Sequence, residues 1–468
     1  MASSRKSSRS NPPHSPLTKG GRNAGGLAAR VAEQLKPVVK PGDRLTAGFS
    51  GGVDSIVLLD CLQRAARGLR IRLAALHVNH QLSPDAGRWS AFCRRVCRAR
   101  NVPFRAVKVK VRRGNSTEAA ARAARYAAFR GEPADYIVLA QHQDDQVETL
   151  LLQLLRGAGV KGLAAMPAVS GQRSAVSGQP EPRILRPMLG VTRAEIEAYA
   201  RARKLKWVED ESNRDVYFQR NFLRHEVLPV LARRFPAYRG TVGRAARHLA
   251  EASQLLDEVA AADAAPYLEN GTLAVEALRR LSAERARNLL RYFLAQRGAS
   301  MPAAERLKEA LRQVLTAKRD AHVLIDLGDA SLGRFAGRLH VVRASRPPPA
   351  NFARRWRGER EIALAELDGV LTLENVRGAG ISVEKLRRGP VTIRARRGGE
   401  RLQPDCRRPT RSLKNLLQEA RMPPWLRERL PLIFHGDTLV WVPGIGVDCA
   451  FQAKRGGAAL LPRWSPSA

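Results

Sequence analysis

Ser50-Gly51-Gly52-Val53-Asp54-Ser55 decides how the first half of this chain is read. An apolar run over 44–49 precedes it and an amphipathic stretch over 54–67 follows, so these residues form the turn between a strand and a helix. Two adjacent glycines permit a tight turn and a close backbone approach to a ligand. Successive amides at such a turn face a concavity that suits an anion, and the helix starting there adds its positive end. Ser50 and Ser55 offer hydroxyl donors, and Asp54 is placed to hold magnesium against phosphates. The same pattern arises by chance in a chain this long on the order of one time in a thousand.

Outward from the loop, strands are expected at 44–49, 71–78, 104–111 and 135–140. Helices are expected at 54–67, 84–100, 116–130 and 145–156. Strand and helix alternate, which argues for an α/β fold with a parallel sheet whose ligands sit at the carboxyl ends of strands. The fourth strand ends in Gln141-His142-Gln143-Asp144-Asp145. Asp145 would therefore lie beside the phosphate loop, and Asp54 with Asp145 would supply the carboxylates that a magnesium bridging phosphates takes. An aspartate at a helix start is also favoured with no catalytic role. His142 is open to two readings, proton transfer or packing.

Two arginine pairs lie on helical patterns, Arg122 with Arg125 and Arg220 with Arg224, and the planar guanidinium suits phosphate. Gly157-Ala158-Gly159-Val160-Lys161-Gly162 matches a dinucleotide pattern but follows a helix, so a helix end and loop is expected there. No Gly-x-x-x-x-Gly-Lys-Ser/Thr occurs, which removes the common ATPase loop.

The chain has 468 residues, with 81 Lys and Arg against 43 Asp and Glu, a net charge of +38. That excess points to a polyanionic partner such as nucleic acid. Its five cysteines, Cys61, Cys93, Cys97, Cys406 and Cys449, are read as forming no disulfide framework, which fits a reducing, cytoplasmic setting. Cys93 and Cys97 should share one helix face. No apolar run is long enough to span a membrane. Residues 1–40 read as a disordered basic tail, with a transit peptide as the alternative. Ala-Val-Ser-Gly-Gln occurs at both 168–172 and 175–179, a short duplication in a loop. The expected organisation is a catalytic domain over 41–230, a helical domain over 231–345 with periodicity at 273–296 and 303–315, a linker over 346–369, and a small mixed α+β domain over 370–457 with a helix at 412–420.

The loop at Ser50–Ser55 resembles that of the ATP pyrophosphatases, or PP-loop enzymes (an adenine nucleotide alpha hydrolase-like fold). In these it grips pyrophosphate while AMP passes to an oxygen of the substrate. A further series narrows the likeness: His77-Val78-Asn79-His80-Gln81-Leu82, Glu118 to Tyr126, Asp144 to Thr149, Leu155 to Leu163, Trp207 to Asn213, and Arg220-Asn221-Phe222-Leu223-Arg224. In this order they resemble the tRNA(Ile)-lysidine synthase family. Arg396 to Arg401, Leu413 to Leu416, Pro424 to Arg427 and Val442 to Gly446 resemble its carboxyl-terminal module.

The resemblance implies an ATP-dependent ligase that adenylates carbon 2 of the wobble cytidine in tRNA(Ile) with a CAU anticodon. Free L-lysine then displaces AMP, and decoding changes from AUG to AUA. It implies ATP and magnesium, with Ser50, Gly51, Gly52, Val53, Asp54, Ser55 and His77 at the nucleotide and Asp54 and Asp145 at the metal. Arg122, Arg125, Arg220 and Arg224 would steady the adenylate or place the tRNA. Family members often carry paired histidines where this chain has Gln141-His142. Glu148, Glu209, Asp210 and Lys161 are open choices for lysine, and a homodimer is left open. The alternatives are a PP-loop tRNA thiolase, which the absence of Cys-x-x-Cys disfavours, and a non-catalytic basic RNA-binding protein.

Overall fold

The computed structural model describes residues 24–111, 117–171, 181–209, 211, 215–318, 323–343, 348–349 and 351–466. The chain divides into two compact units, one ending at Gln254 and the other beginning at Leu255.

The first unit opens with α1 (Ala24–Leu35), then runs β1 (Arg44–Gly48), α2 (Val53–Leu69), β2 (Arg72–Asn79), α3 (Ala86–Ala99), β3 (Phe104–Lys108), α4 (Thr117–Arg130), β4 (Tyr136–Val138) and α5 (Gln143–Leu155). After these come α6 (Val160–Leu163), β5 (Val169–Ser170), β6 (Arg183–Leu185) and α7 (Arg193–Ala202). The six strands lie in the order β3-β2-β1-β4-β6-β5. Every pairing is parallel except that of β5 with β6. All four expected strands and their helices are present. The order reverses between β1 and β4, so a crevice opens at their carboxyl ends, where this class of sheet takes its ligands.

The tail expected over 1–40 does not hold for 24–40, where α1 lies. Leu27, Ala28, Val31 and Leu35 of α1 are buried in the same core as β1 and α2, because they recur on one helical face. Residues 1–23 lie outside the described residues, as does most of the duplicated segment, 172–180. Cys93 and Cys97 are the buried residues of α3, as their spacing requires.

In the second unit the helical reading of the middle region is incomplete. Helices Val275–Arg279, Ala283–Gln296 and Ala304–Thr316 pack on a five-stranded sheet that includes Ala330–Phe335 and Arg338–Arg343. The periodic stretch over 273–296 is not one helix. It breaks at Ser282, whose hydroxyl accepts from the Arg285 amide and starts a new helix. The expected linker is mostly structured, with strands at Ala353–Arg355 and Glu361–Leu364. The last part runs beyond 457, because Ala458–Pro466 pairs antiparallel along the whole of Gly369–Arg377. The helix expected at 412–420 is Leu413–Glu419, capped by Ser412.

The cysteine reading needs one correction: Cys406 and Cys449 form a disulfide. The Gln403 amide donates to Asp448, and the Cys449 amide donates to the Gln403 carbonyl at 2.7 Å. These bonds bring together two loops 43 residues apart, a pairing that spacing does not reveal. Among the described residues, no helix is long and apolar enough to cross a membrane.

Candidate active site

The Ser50–Ser55 loop is shaped by its own hydroxyls. Ser55 Oγ accepts from the Gly51 amide at 3.0 Å and donates to the Gly52 carbonyl at 2.9 Å, with Ser50 Oγ 3.1 Å away. Gly51 adopts φ +89°, and a Cβ there would meet Cys93 Sγ at 2.9 Å, so both conformation and space require glycine. The Gly51 amide is thus committed to Ser55. The donors left for an anion are the first-turn amides of α2, Val53, Asp54 and Ser55, which no intrahelical carbonyl can reach.

His77 supports this loop from below. It is buried, and its Nδ1 lies 2.9 Å from the Phe49 carbonyl, so Nδ1 carries the proton. Burial lowers its pKa, keeping the ring neutral.

At the end of β4, His142 caps α5, and its amide donates to Asp145 Oδ2 at 3.0 Å. The buried imidazole reaches into the crevice. Its Nε2 lies 3.7 Å from Asp54 and 3.5 Å from Asp145, and its Nδ1 lies 3.7 Å from Asp144. The structure therefore brings Asp54, His142 and Asp145 together, and the N-capping role of Asp145 coexists with its place at the loop.

Arginines neutralise these carboxylates. Arg193, the first residue of α7, binds Asp54 through Nη1 at 2.7 Å. Arg224 Nη2 lies 3.3 Å from Asp145. Glu148, one turn beyond Asp145 and fully buried, receives Nε of Arg220 and of Arg224, each at 2.7 Å. Asp144 takes the Arg193 amide at 3.0 Å and Arg239 Nε at 2.5 Å. Burial raises the Asp54 pKa, against the lowering influence of His142 and Arg193, and Asp145 adds to the rise. Two oxygen donors, one of them desolvated and repelled by the other, are a set that a hard divalent cation fits.

Arg122 and Arg125 are exposed on α4. Arg122 lies over the Tyr126 ring, 5.1 Å from its centre, and Arg125 Nε is 3.4 Å from His80. Tyr126 is 3.5 Å from buried Arg186, whose Nε donates to Gln141 at 2.5 Å, tying α4 to the end of β4. Sequence reading missed Arg193, Arg186 and Arg239. Each meets its partner across a long stretch of chain, and only the general excess of arginine hinted at them. Glu148, one of the open choices for lysine, is occupied by two arginines. Asp210 lies outside the described residues.

A glycine-turned phosphate loop at one strand end, with carboxylates at the neighbouring strand end, defines a PP-loop enzyme, a class that uses ATP. The PP-loop domain model matches residues 26–231. The TilS substrate binding domain model matches 273–340, and the TilS substrate C-terminal domain model matches 391–464. A tRNA(Ile)-lysidine synthase of Nitrosomonas europaea is 47% identical over 92% of this chain and 94% of its own. One from Azoarcus sp. is 40% identical over 94% and 96%. Among solved structures, the U34-tRNA thiolase NcsA from Methanococcus maripaludis aligns over 48% of this chain and 79% of its own, with 17% identity and a TM-score of 0.40. That likeness is too slight to bear on the reaction. The chain belongs to the tRNA(Ile)-lysidine synthase family.

Proposed function

We propose that this protein ligates L-lysine to carbon 2 of the wobble cytidine of tRNA(Ile) bearing a CAU anticodon, at the expense of ATP. One observation carries the reading. In a chain with these relatives, Asp54 and Asp145 converge on His142 beside the Ser50–Ser55 loop. In the first step the cytidine O2 attacks the α-phosphorus, the bond to the β-phosphate oxygen breaks, and pyrophosphate leaves. In the second, the side-chain amine of lysine attacks C2, the C2–O2 bond breaks, AMP leaves with the oxygen, and the new nitrogen sheds its proton.

The first-turn amides of α2 bind the departing pyrophosphate, and Ser50 and Ser55 keep the loop in shape for it. Asp54 and Asp145 hold magnesium, which offsets charge developing on the phosphates. His142 spaces the two carboxylates, and His77 supports the loop beside the nucleotide. Arg220 and Arg224, fixed by Glu148, steady the adenylate, while exposed Arg122 and Arg125 meet the RNA. The unit that begins at Leu255 binds the body of the tRNA.

The test is incubation of the full chain with magnesium, ATP, isotopically labelled lysine and the CAU tRNA, followed by mass analysis of the digested nucleosides. Lysidine is expected. Incorporation of sulfur or ammonia instead would leave only the PP-loop class standing.

A further inference from the structure

Away from the ATP loop, the first unit holds a cavity of about 610 Å³ between α2, the end of α3 and the segment after α7. Asp60 stands at its base. Asp60 lies on α2 beyond Asp54, about 9 Å further along the helix axis. Its buried carboxylate takes Arg100 Nη1 at 2.8 Å, Arg64 Nε at 3.2 Å and the Tyr199 hydroxyl at 2.7 Å, with Arg203 Nε at 3.6 Å. Lys204 and Lys206 complete the rim. Burial works to raise the Asp60 pKa, but the bonds from Arg100 and Tyr199 outweigh it, so the carboxylate stays charged.

Local needs do not use up this charge. Asp60 neutralises one cation, and the carboxyl ends of α3 and α7 offset about half a charge each. About three positive charges are left facing the cavity. One carboxylate pins three guanidiniums, so the cost of ordering them is met before any ligand arrives. Lys204 has φ +51°, just past the end of α7, with the Leu205 amide bonded to the Ala200 carbonyl at 2.9 Å. Glycine is the residue this left-handed position favours. Lys204 stands there at the cavity mouth, as Arg70 stands at the left-handed end of α2.

We propose that this cavity binds a backbone phosphate of the RNA substrate, as a second contact on the catalytic unit remote from the reacting base. The open shape favours RNA over a small free anion. The depression, about 610 Å³, is open to solvent along its basic rim, so a phosphate seated in it can remain joined to a polymer chain. The proposal rests on the tRNA-modifying function above.

The test is the double variant Lys204→Gly, Lys206→Gln in the full chain. Glycine suits the left-handed backbone, so thermal stability should be unchanged or raised, which separates loss of binding from loss of fold. Affinity for the CAU tRNA should fall about three- to tenfold at low salt, and the slope of log affinity against log salt should shrink by about 0.9 for each phosphate no longer neutralised. Lysine incorporation at saturating tRNA should equal that of the unaltered protein. Wild-type affinity and slope in the variant would overturn the proposal. So would saturable binding of inorganic phosphate that the variant loses while tRNA affinity holds, since the site would then serve a free anion. If the unaltered protein binds tRNA but incorporates no lysine, the functional reading fails, and the affinity comparison still decides the cavity.

Discussion

Arg193 at the start of α7 places Nη1 2.7 Å from the carboxylate of Asp54 at the start of α2, across 139 residues of sequence. Asp54 is the carboxylate proposed to hold magnesium, and Arg193 bears on its protonation. Burial pushes the Asp54 pKa up, and Arg193 opposes the rise. Metal binding needs the ionised carboxylate, so activity should fall as pH drops through the Asp54 pKa. Arg193→Gln removes a lowering influence and should move the acid limb of the kcat/KM profile to higher pH, with turnover reduced about tenfold or more at neutral pH. An unmoved acid limb would remove Asp54 from control of the profile.

The sign of the same shift makes a stability prediction. The folded pKa of Asp54 lies above its unfolded value, so the charged group costs stability at neutral pH, and that cost is relieved as pH falls through the folded pKa. Asp54→Asn should therefore leave the melting temperature unchanged or raise it, while adenylation, read as tRNA-dependent AMP release, falls by orders of magnitude. A large drop in melting temperature would mean that Asp54 serves the fold.

Glu148 behaves in the opposite way. It is fully buried between Arg220 and Arg224, so Glu148→Gln removes the carboxylate that both guanidiniums share and leaves them only the more distant Asp145. Breaking a buried ion group of this kind costs about 3–5 kcal/mol. Urea unfolding of the first unit should show a loss of that order, and lysine incorporation should fall with it. A loss under about 1 kcal/mol would mean that water screens the group.

Much of the first unit is legible in the sequence because strand and helix periods differ and alternate cleanly from Arg44 to Leu155. The loop and both carboxylates are legible because a parallel sheet sends its strand ends to one edge. Other features lie outside local pattern. The α1 helix follows a stretch with no apolar periodicity, and the middle sheet is built partly from strands of two to four residues, too short to show alternation. Arg193 meets Asp54, and Cys406 meets Cys449, only through tertiary contact. Pro424 to Arg427 shows in sequence only a resemblance to the carboxyl-terminal module, while the Trp425 ring lies against Gly333, 5.4 Å from the His340 ring and edge-on to Phe335.

That packing gives a separate prediction. Trp425→Ala should destabilise the second unit by about 2–3 kcal/mol, below the roughly 3–5 kcal/mol of a fully buried aromatic because Trp425 is only partly buried. It should leave the salt dependence of tRNA binding unchanged under conditions where the unit stays folded. A changed salt slope would place Trp425 at the RNA after all.

The most direct measurement is the mass of the wobble nucleoside. The CAU tRNA is incubated with the protein, magnesium, ATP and labelled lysine, then digested. The account predicts that cytidine gains one lysine less one water, with one AMP and one pyrophosphate released per event, and that Asp54→Ala and Asp145→Ala both abolish the product. Unmodified cytidine, or a nucleoside carrying sulfur or an amino group instead, would contradict it.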